Sequence, residues 1–290
     1  MKIAIFGNTY QKEDQIREIA RVLMKYDVEI YLEEVFRDYL CSEYNLFCST
    51  GGIIKGRDFH TDLVISIGGD GTFLRSSAKI GNKKIPILGV NTGRLGFLAD
   101  TSYNDFELAL QEILEGRYRI EERSQLRVEI GHPLSGNSYI ALNEVAILKQ
   151  DTASMINVNV HVNDEFLANF EADGMLVATP TGSTAYALSV GGPILSPTLS
   201  SFILTPVASH SLTSRPLLID DNSLIKLKVN SRSNHFLLSL DGRSTILSTD
   251  VEFKIRKASY PLRIVRREGQ TFYQTLRNKL KWESNPRDQH

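Results

Sequence analysis

Apolar positions in the first hundred residues follow two alternating periods. Lys2 to Phe6, Val28 to Leu32, Leu63 to Ile67 and Ile85 to Val90 are short, nearly continuous apolar runs, which read as buried strands. Between them Ile16, Ile19, Ala20, Leu23 and Met24 recur at helical spacing, and Val35, Phe36, Tyr39 and Leu40 do so over a shorter stretch. Thr72-Phe73-Leu74 opens a further helix, with a hydroxyl suited to capping it. Strands and helices in alternation predict a parallel sheet covered on both faces, in which ligands gather at the carboxyl ends of the strands. After a helix over Phe106 to Leu114 the texture changes. Leu126 to Ile130, Ser138 to Leu142, Val145 to Leu148, Ile156 to Val162, Leu176 to Ala178, Leu224 to Val229, Phe236 to Leu240 and Phe253 to Ile255 are short and alternating or β-branched. Their spacing predicts an antiparallel β domain.

Length and composition sharpen this picture in a few places. At 290 residues, 42% apolar and 23% charged, the chain is an ordinary globular protein with room for two domains. A formal charge of −1 gives no global basic field for nucleic acid or a membrane surface. Arg256, Lys257, Arg263, Arg266 and Arg267 form a late basic run, expected to be a solvated face or a phosphate-facing edge. Cys41 and Cys48 lack the spacing of a redox pair and have no histidine around them, so free thiols of a reducing compartment are expected. The histidines are scattered singly, which argues against a structural metal. Four apolar residues near the N-terminus are too few for a signal-peptide core, and no window approaches the ~18 apolar residues of a membrane span. Cytoplasmic location is the expectation.

Candidate chemistry concentrates at a few loops. Gly68-Gly69-Asp70-Gly71-Thr72 joins the Leu63 strand to a helix, a turn that exposes backbone N–H groups at the positive end of a helix dipole. An acid has no anion-binding use there, so Asp70 would meet a cation or a hydroxyl proton, or else cap the helix. Gly51 to Gly56 lacks the Gly-Lys-Ser/Thr ending of a P-loop, and no Gly-x-Gly-x-x-Gly is present. Asn91-Thr-Gly-Arg-Leu-Gly-Phe-Leu-Ala-Asp100 follows the next strand, so Asn91 and Arg94 could reach a ligand, or the stretch could simply lead to the second domain. In the β region Asn143-Glu144 begins a strand, Asp173 precedes a glycine turn, and Thr179-Pro-Thr-Gly-Ser-Thr-Ala-Tyr-Ala-Leu-Ser189 leads to Gly191-Gly192-Pro193. Hydroxyls with little side-chain bulk let a flat base and ribose approach the backbone, and Tyr186 can stack or hydrogen-bond.

Taken together and in this order, these stretches resemble the NAD kinase family, from Leu63 to about Pro216. Gly-Gly-Asp-Gly-Thr alone is shared with diacylglycerol and sphingosine kinases. The resemblance implies an α/β Rossmann-like parallel-sheet domain, placed at 1–100 with the tail from about 268 to 290 able to return to it. It also implies an all-β β-sandwich domain over 101–267 that binds NAD, with the site in the crevice between the domains. Further implications are ATP as phosphoryl donor, a divalent cation with Mg²⁺ favoured, and a homodimer or homotetramer. Residue by residue, Asp70 accepts the proton of the 2′-hydroxyl of the adenosine ribose and Gly71 lies against the nucleotide. Arg75 meets phosphate, and Asn143 and Glu144 bind the ribose and adenine side. Asp173 and Thr184, Ala185, Tyr186, Ala187, Leu188 and Ser189 line the NAD site. No protein side chain is assigned to the metal. Two departures stand out: Glu171 occupies a place where some bacterial members carry a basic residue, and Asp241-Gly242-Arg243 falls in a region that varies.

A phosphoryl-transfer mechanism suits these residues, because it needs an in-line hydroxyl and neutralised phosphates rather than covalent help. An aspartate is a weak base for a sugar hydroxyl, but in a loose transition state the proton leaves late. Asp70 would then orient the hydroxyl and accept its proton, with Mg²⁺ binding as the alternative role. Two rival functions make different demands. A lipid kinase would want an apolar groove or a basic surface. A non-catalytic NAD sensor would have no use for a base at the 2′-hydroxyl.

Overall fold

The computed structural model describes residues 1–48, 51–131, 139–151 and 154–282. The chain divides into two compact units, one of residues 1–122 together with the chain from Arg263 onward, the other of Arg123–Leu262. The divisions fall later and earlier, respectively, than the 100/101 and 267/268 positions read from the sequence. The first difference arises because strand Tyr118–Arg123 joins the parallel sheet; the second because Leu262–Arg267 is itself a strand of it.

In the first unit the strands run in the spatial order Gly52–Ile54, Glu29–Glu33, Lys2–Gly7, Leu63–Ile67, Ile87–Asn91, Leu262–Arg267, Tyr118–Arg123, with Thr101–Ser102 beside Ile87–Asn91. The central pairs are parallel, with Ile5 opposite Leu32 on one side and Ile65 on the other. From Lys2–Gly7 the chain moves outward through two strands, then returns to the other side of that first strand as Leu63–Ile67. The strand order therefore reverses between Lys2–Gly7 and Leu63–Ile67, the kind of point where doubly wound sheets open a crevice at their carboxyl edge. Leu63–Ile67 and Ile87–Asn91 are buried along their whole length, as strands covered on both faces must be. Helix Glu13–Lys25 buries Ile16, Ile19, Ala20 and Leu23, while Met24 lies outside that stripe and is exposed. In helix Glu34–Tyr44, Phe36 and Leu40 are buried and Val35 is exposed.

The second unit is two six-stranded antiparallel sheets. One runs Leu217–Asp220, Ser201–Val207, Gly174–Ala178, Glu144–Lys149, His235–Leu240, Arg243–Ser248; the other runs Glu165–Ala172, Ile156–Val162, Ile225–Asn230, Phe253–Lys257, Leu126–Ile130, Ile140–Ala141. Val145, Ile147, Val177, Phe202 and Phe236 of the first pack against Val128, Val158, Leu227, Val229 and Phe253 of the second in one core. Of the strand read at Ser138 to Leu142, Ile140–Ala141 is present, and Ser138 lies outside the described residues. Beyond Ala141 the chain leaves one sheet and enters the other at Glu144.

Two expectations from composition are corrected here. The late basic run is a solvated face only in part: Arg256, Lys257 and Arg263 stay partly exposed, whereas strand pairing draws Arg266 and Arg267 in among acids. Arg266 is 5% exposed and paired with Asp100 and Glu121, Arg267 meets Glu112 at 2.6 Å, and Lys257 meets Asp221 at 2.6 Å. Arg256 pairs with Glu129, and Arg263 with Glu122. Cys41 and Cys48 are joined as a disulfide rather than left as free thiols. The left-handed turn at Asn45, whose N–H donates to the Cys41 carbonyl at 3.1 Å, ends the helix and folds the chain back so that the two Cα atoms stand 5.0 Å apart. Among the described residues no helix is long and apolar enough to cross a membrane.

Removing one partner of a buried ion pair strands the other charge away from water. Arg266→Met is therefore expected to lower stability by about 3–5 kcal/mol, and adding Asp100→Asn should recover part of that loss. Urea-unfolding midpoints of the single and double variants check this.

Candidate functional site

The glycine turn after Leu63–Ile67 is built from unequal parts. Gly68 has φ +142°, and a Cβ there would stand 2.6 Å from the Thr72 hydroxyl, so the turn itself requires glycine. Its N–H donates to the Val90 carbonyl at 2.8 Å, tying the turn to the adjacent strand. Gly69 and Gly71 are different. Neither has positive φ, and a Cβ at either would meet nothing within 4 Å. The fold does not ask for these two glycines, and Gly71 in the first turn of a helix weakens it relative to alanine. Both line a cavity of about 490 Å³, together with Gly7, Asn8 and Tyr10 after the first strand and with Thr72 and Arg75 on the helix. That cavity lies at the reversal of strand order.

Helix Asp70–Ile80 has Gly69 at its N-cap and no side-chain cap, so neither Asp70 nor Thr72 caps it. The Thr72 hydroxyl instead accepts from Arg75 Nη2 at 3.2 Å. Asp70 reaches across to the next loop. Its Oδ2 accepts the N–H of Phe97 at 2.9 Å, and its Oδ1 accepts those of Leu98 at 3.1 Å and Ala99 at 3.0 Å. A carboxylate offers about four lone-pair sites, so Oδ1 is filled and Oδ2 keeps one free. Gly96 makes this approach possible, since a Cβ there would stand 1.9 Å from Oδ1. The same loop is braced from within by Asn91, whose Nδ2 donates to the Arg94 carbonyl and whose Oδ1 accepts from Gly93, each at 2.6 Å. Asn91 is 3% exposed and serves the loop rather than an outside ligand; Arg94 is exposed.

In the second unit Asn143 and Glu144 stand where the chain enters its new sheet, both buried. The Thr179–Ser189 stretch folds against them. Thr179 donates its N–H to the Asn143 carbonyl at 2.9 Å and its hydroxyl to the Leu142 carbonyl at 2.6 Å. Gly182 lies so close to the Asn143 carbonyl that a Cβ would stand 2.0 Å from it. Thr184 ends a short 3₁₀ turn, Ala185 links it to the helical turn Tyr186–Ser189, and the Tyr186 N–H donates to the Glu144 carboxyl. Ala187 is fully buried, Leu188 is half-buried, and Tyr186 and Ser189 are exposed. One oxygen of Glu144 and the Asn143 Oδ1 are buried without a hydrogen-bond partner. Unpaired buried acceptors of this kind are costly unless a donor arrives.

Asp173 is not brought beside this pair. Gly174 is opposite Leu148 while Ala178 is opposite Glu144, so Asp173 lies beyond the far end of the strand pair, roughly 17 Å away by strand rise, and its carboxylate holds Lys149 at 2.6 Å. Glu171 is exposed on the strand before it. Asp241, which the sequence marked only as part of a variable region without a role, is brought to this strand start. Its Oδ2 accepts the Leu142 N–H at 2.7 Å and its Oδ1 those of Asn143 at 2.8 Å and Glu144 at 3.2 Å. The available signal was Asp-Gly between two apolar alternating runs, a hairpin turn that aims an acid at a strand end.

Among the described residues no group of three metal-ligating side chains gathers. Asp70, with one free acceptor position, cannot by itself hold a divalent cation. The described residues therefore offer no ready-made cluster of protein ligands for a divalent cation.

Burial, and then the neighbouring Asp241 charge, push the Glu144 carboxyl from 4.5 up to about 7, against the pull of the Tyr186 N–H. An acid raised in the folded state favours folding while protonated. Its contribution is full below about pH 4.5, declines as pH rises toward 7, and is lost above that. Glu144→Gln removes the titration. The variant is expected to exceed the parent in stability by up to about 3 kcal/mol at pH 8 and by no more than about 1 kcal/mol at pH 5. Calorimetric unfolding at the two pH values checks the sign.

Residues 3–118 match the ATP-NAD kinase N-terminal domain and residues 142–267 the ATP-NAD kinase C-terminal domain. A protein of Bacteroides fragilis named NAD kinase is 45% identical over 99% of this chain and 100% of its own. One from Porphyromonas gingivalis, also named NAD kinase, is 45% identical over 97% of this chain and 98% of its own. Among solved structures, an NAD kinase from Archaeoglobus fulgidus in complex with ATP superposes with a TM-score of 0.77 at 27% identity, covering 97% of this chain and 99% of that one. Yeast NADH kinase complexed with NADH shares the fold, with a TM-score of 0.85 at 24% identity over 98% of this chain and 89% of that one. With both domains matched and full-length relatives at this identity, the chain belongs to the NAD kinase family.

Proposed function

We propose that this chain transfers the γ-phosphoryl group of ATP to the 2′-hydroxyl of the adenosine ribose of NAD, giving NADP and ADP. The observation that carries the reading is the glycine turn. Gly69 and Gly71 are glycines that the fold does not need, facing a cavity where strand order reverses, on either side of an aspartate with one free acceptor position. Open glycines let phosphate or ribose approach backbone that a methyl group would keep away.

In this mechanism the ribose 2′-oxygen attacks the γ-phosphorus in line, the bond from that phosphorus to the bridging oxygen breaks, and ADP departs. Asp70 orients the hydroxyl through the remaining position on Oδ2 and takes its proton late. The Phe97–Ala99 N–H groups keep the carboxylate in place before substrate arrives, so little reorganisation is needed. Arg75, exposed beside the cavity, meets phosphate charge, and a divalent ion enters with the polyphosphate as part of the substrate. Asn143 and Glu144 receive donors of the nucleotide on their unpaired oxygens. Thr184 to Ser189 line the NAD site, with Tyr186 available for stacking. Asp173 is assigned to NAD on the resemblance, with Lys149 balancing its charge. A homodimer or homotetramer and a cytoplasmic location, where NAD and ATP are both supplied, complete the proposal.

Three variants test it. Asp70→Asn is expected to lower kcat by about 10²–10⁴-fold or more while NAD affinity by calorimetry stays within several-fold. Loss of NAD binding would instead make Asp70 a binding residue. Gly71→Ala should keep or slightly raise the thermal midpoint yet weaken nucleotide binding, read as a higher KM. Gly96→Ala, which drives a methyl group into the Asp70 carboxylate, should cut kcat without abolishing folding, as judged by turnover alongside circular dichroism.

A further inference from the structure

We propose that Asp241 is a positioning residue for nucleotide binding, acting through Asn143 and Glu144 by holding the backbone on which both stand. The inference rests on the reading of Asn143 and Glu144 as nucleotide-binding residues and extends it to a residue outside the family's matched motifs.

The geometry begins with the passage between sheets. Ile140–Ala141 pairs with Leu126–Ile130 in one sheet, and Glu144–Lys149 pairs with Gly174–Ala178 and His235–Leu240 in the other. Over Leu142 and Asn143 the chain belongs to neither ladder, so their N–H groups need partners from elsewhere. Asp241 supplies them. Leu240 pairs with Arg243, which leaves Asp241 and Gly242 as a two-residue hairpin loop with φ +48° and +78°. That left-handed loop, suited to Asp-Gly, turns the carboxylate back over the adjoining strand start. It receives the N–H groups of Leu142, Asn143 and Glu144, while its own N–H donates to the Glu144 carbonyl at 3.2 Å. Arg243 Nη2 donates to the Ile140 carbonyl at 2.5 Å, so the hairpin grips the passage from both ends. The Asp241 side chain is 3% exposed. Burial pushes its carboxyl upward, and the three N–H donors aimed at its two oxygens, with Arg243, oppose that by favouring the ionised form.

The same charge acts on Glu144. Around that carboxyl the hairpin contributes Asp241 and the Thr179–Ser189 stretch contributes the Tyr186 N–H, while Arg243 stands 4.0 Å from Asp241 and Arg123 donates to the Thr181 hydroxyl. Strand Gly174–Ala178 contributes no titratable group. Asp241 is the anion that helps hold the Glu144 proton near neutral pH, so its removal should move that titration toward acid.

The experiment compares Asp241→Asn, Asn143→Ala, Glu144→Gln and the unaltered protein by NAD calorimetry from pH 5.5 to 8.5, with steady-state kinetics alongside. Asp241→Asn places an amide donor against at least one of the N–H groups. It is expected to raise the NAD dissociation constant and KM about tenfold or more, to change kcat less than about threefold, and to shift the pH midpoint of affinity about one unit toward acid. A fixed midpoint with affinity within twofold would overturn the proposal, as would a fall in kcat at unchanged KM. Unchanged affinity in both Asn143→Ala and Glu144→Gln would sink the site reading itself. Weakened binding in those two with an inert Asp241→Asn would sink this inference alone. Should Asp241→Asn fail to fold, Asp241→Ser keeps one acceptor and removes the charge. Failure of both to fold would make Asp241 a folding residue and overturn its assignment.

Discussion

In each unit one aspartate receives three consecutive backbone N–H groups that no strand or helix ladder satisfies. Asp70 does this for Phe97, Leu98 and Ala99, and Asp241 for Leu142, Asn143 and Glu144. Buried N–H groups without partners are among the least tolerated features of a folded chain, so each loop is committed to its aspartate. Three donors fix a carboxylate more firmly than packing alone could, because they constrain both oxygens in direction as well as distance. The arrangement therefore works in both directions, ordering a loop and immobilising an acid.

The surrounding glycines follow from these contacts. Gly96 and Gly182 are places where backbone or carboxylate approaches within the space a methyl group would fill. Gly68 is a turn requirement with positive φ. Gly69 and Gly71 belong to neither class, since neither has positive φ and a Cβ at either would meet nothing within 4 Å.

Electrostatics in the two units is largely settled internally. The basic run on and before strand Leu262–Arg267 is matched residue by residue with Asp100, Glu112, Glu121, Glu122, Glu129 and Asp221. Among the buried side-chain oxygens left without a hydrogen-bond partner, those of Asn143 and Glu144 belong to consecutive residues at a strand start.

Local pattern determined much of this protein. The apolar runs marked the central parallel strands, the shift to alternation marked the β domain, and motif order marked the family and singled out Asp70, Asn143 and Glu144 as candidates. These features depend on neighbours in sequence, through side-chain period and turn chemistry, and so remain readable along the chain. Tertiary structure decided the rest. Leu262–Arg267 returns to the first sheet by pairing with Ile87–Asn91 through Ile264 and Ile87, which stand 177 residues apart in the chain, a partnership no local pattern announces. The same pairing placed Arg266 and Arg267 of an apparent basic surface in buried ion pairs, and the helix-ending turn at Asn45 brought together two cysteines whose spacing promised nothing. Asp241 gained its importance only when a hairpin laid it across a crossing between sheets. A carboxylate's partners are whatever the fold delivers to it, and those partners lay 97 to 99 residues away along the chain.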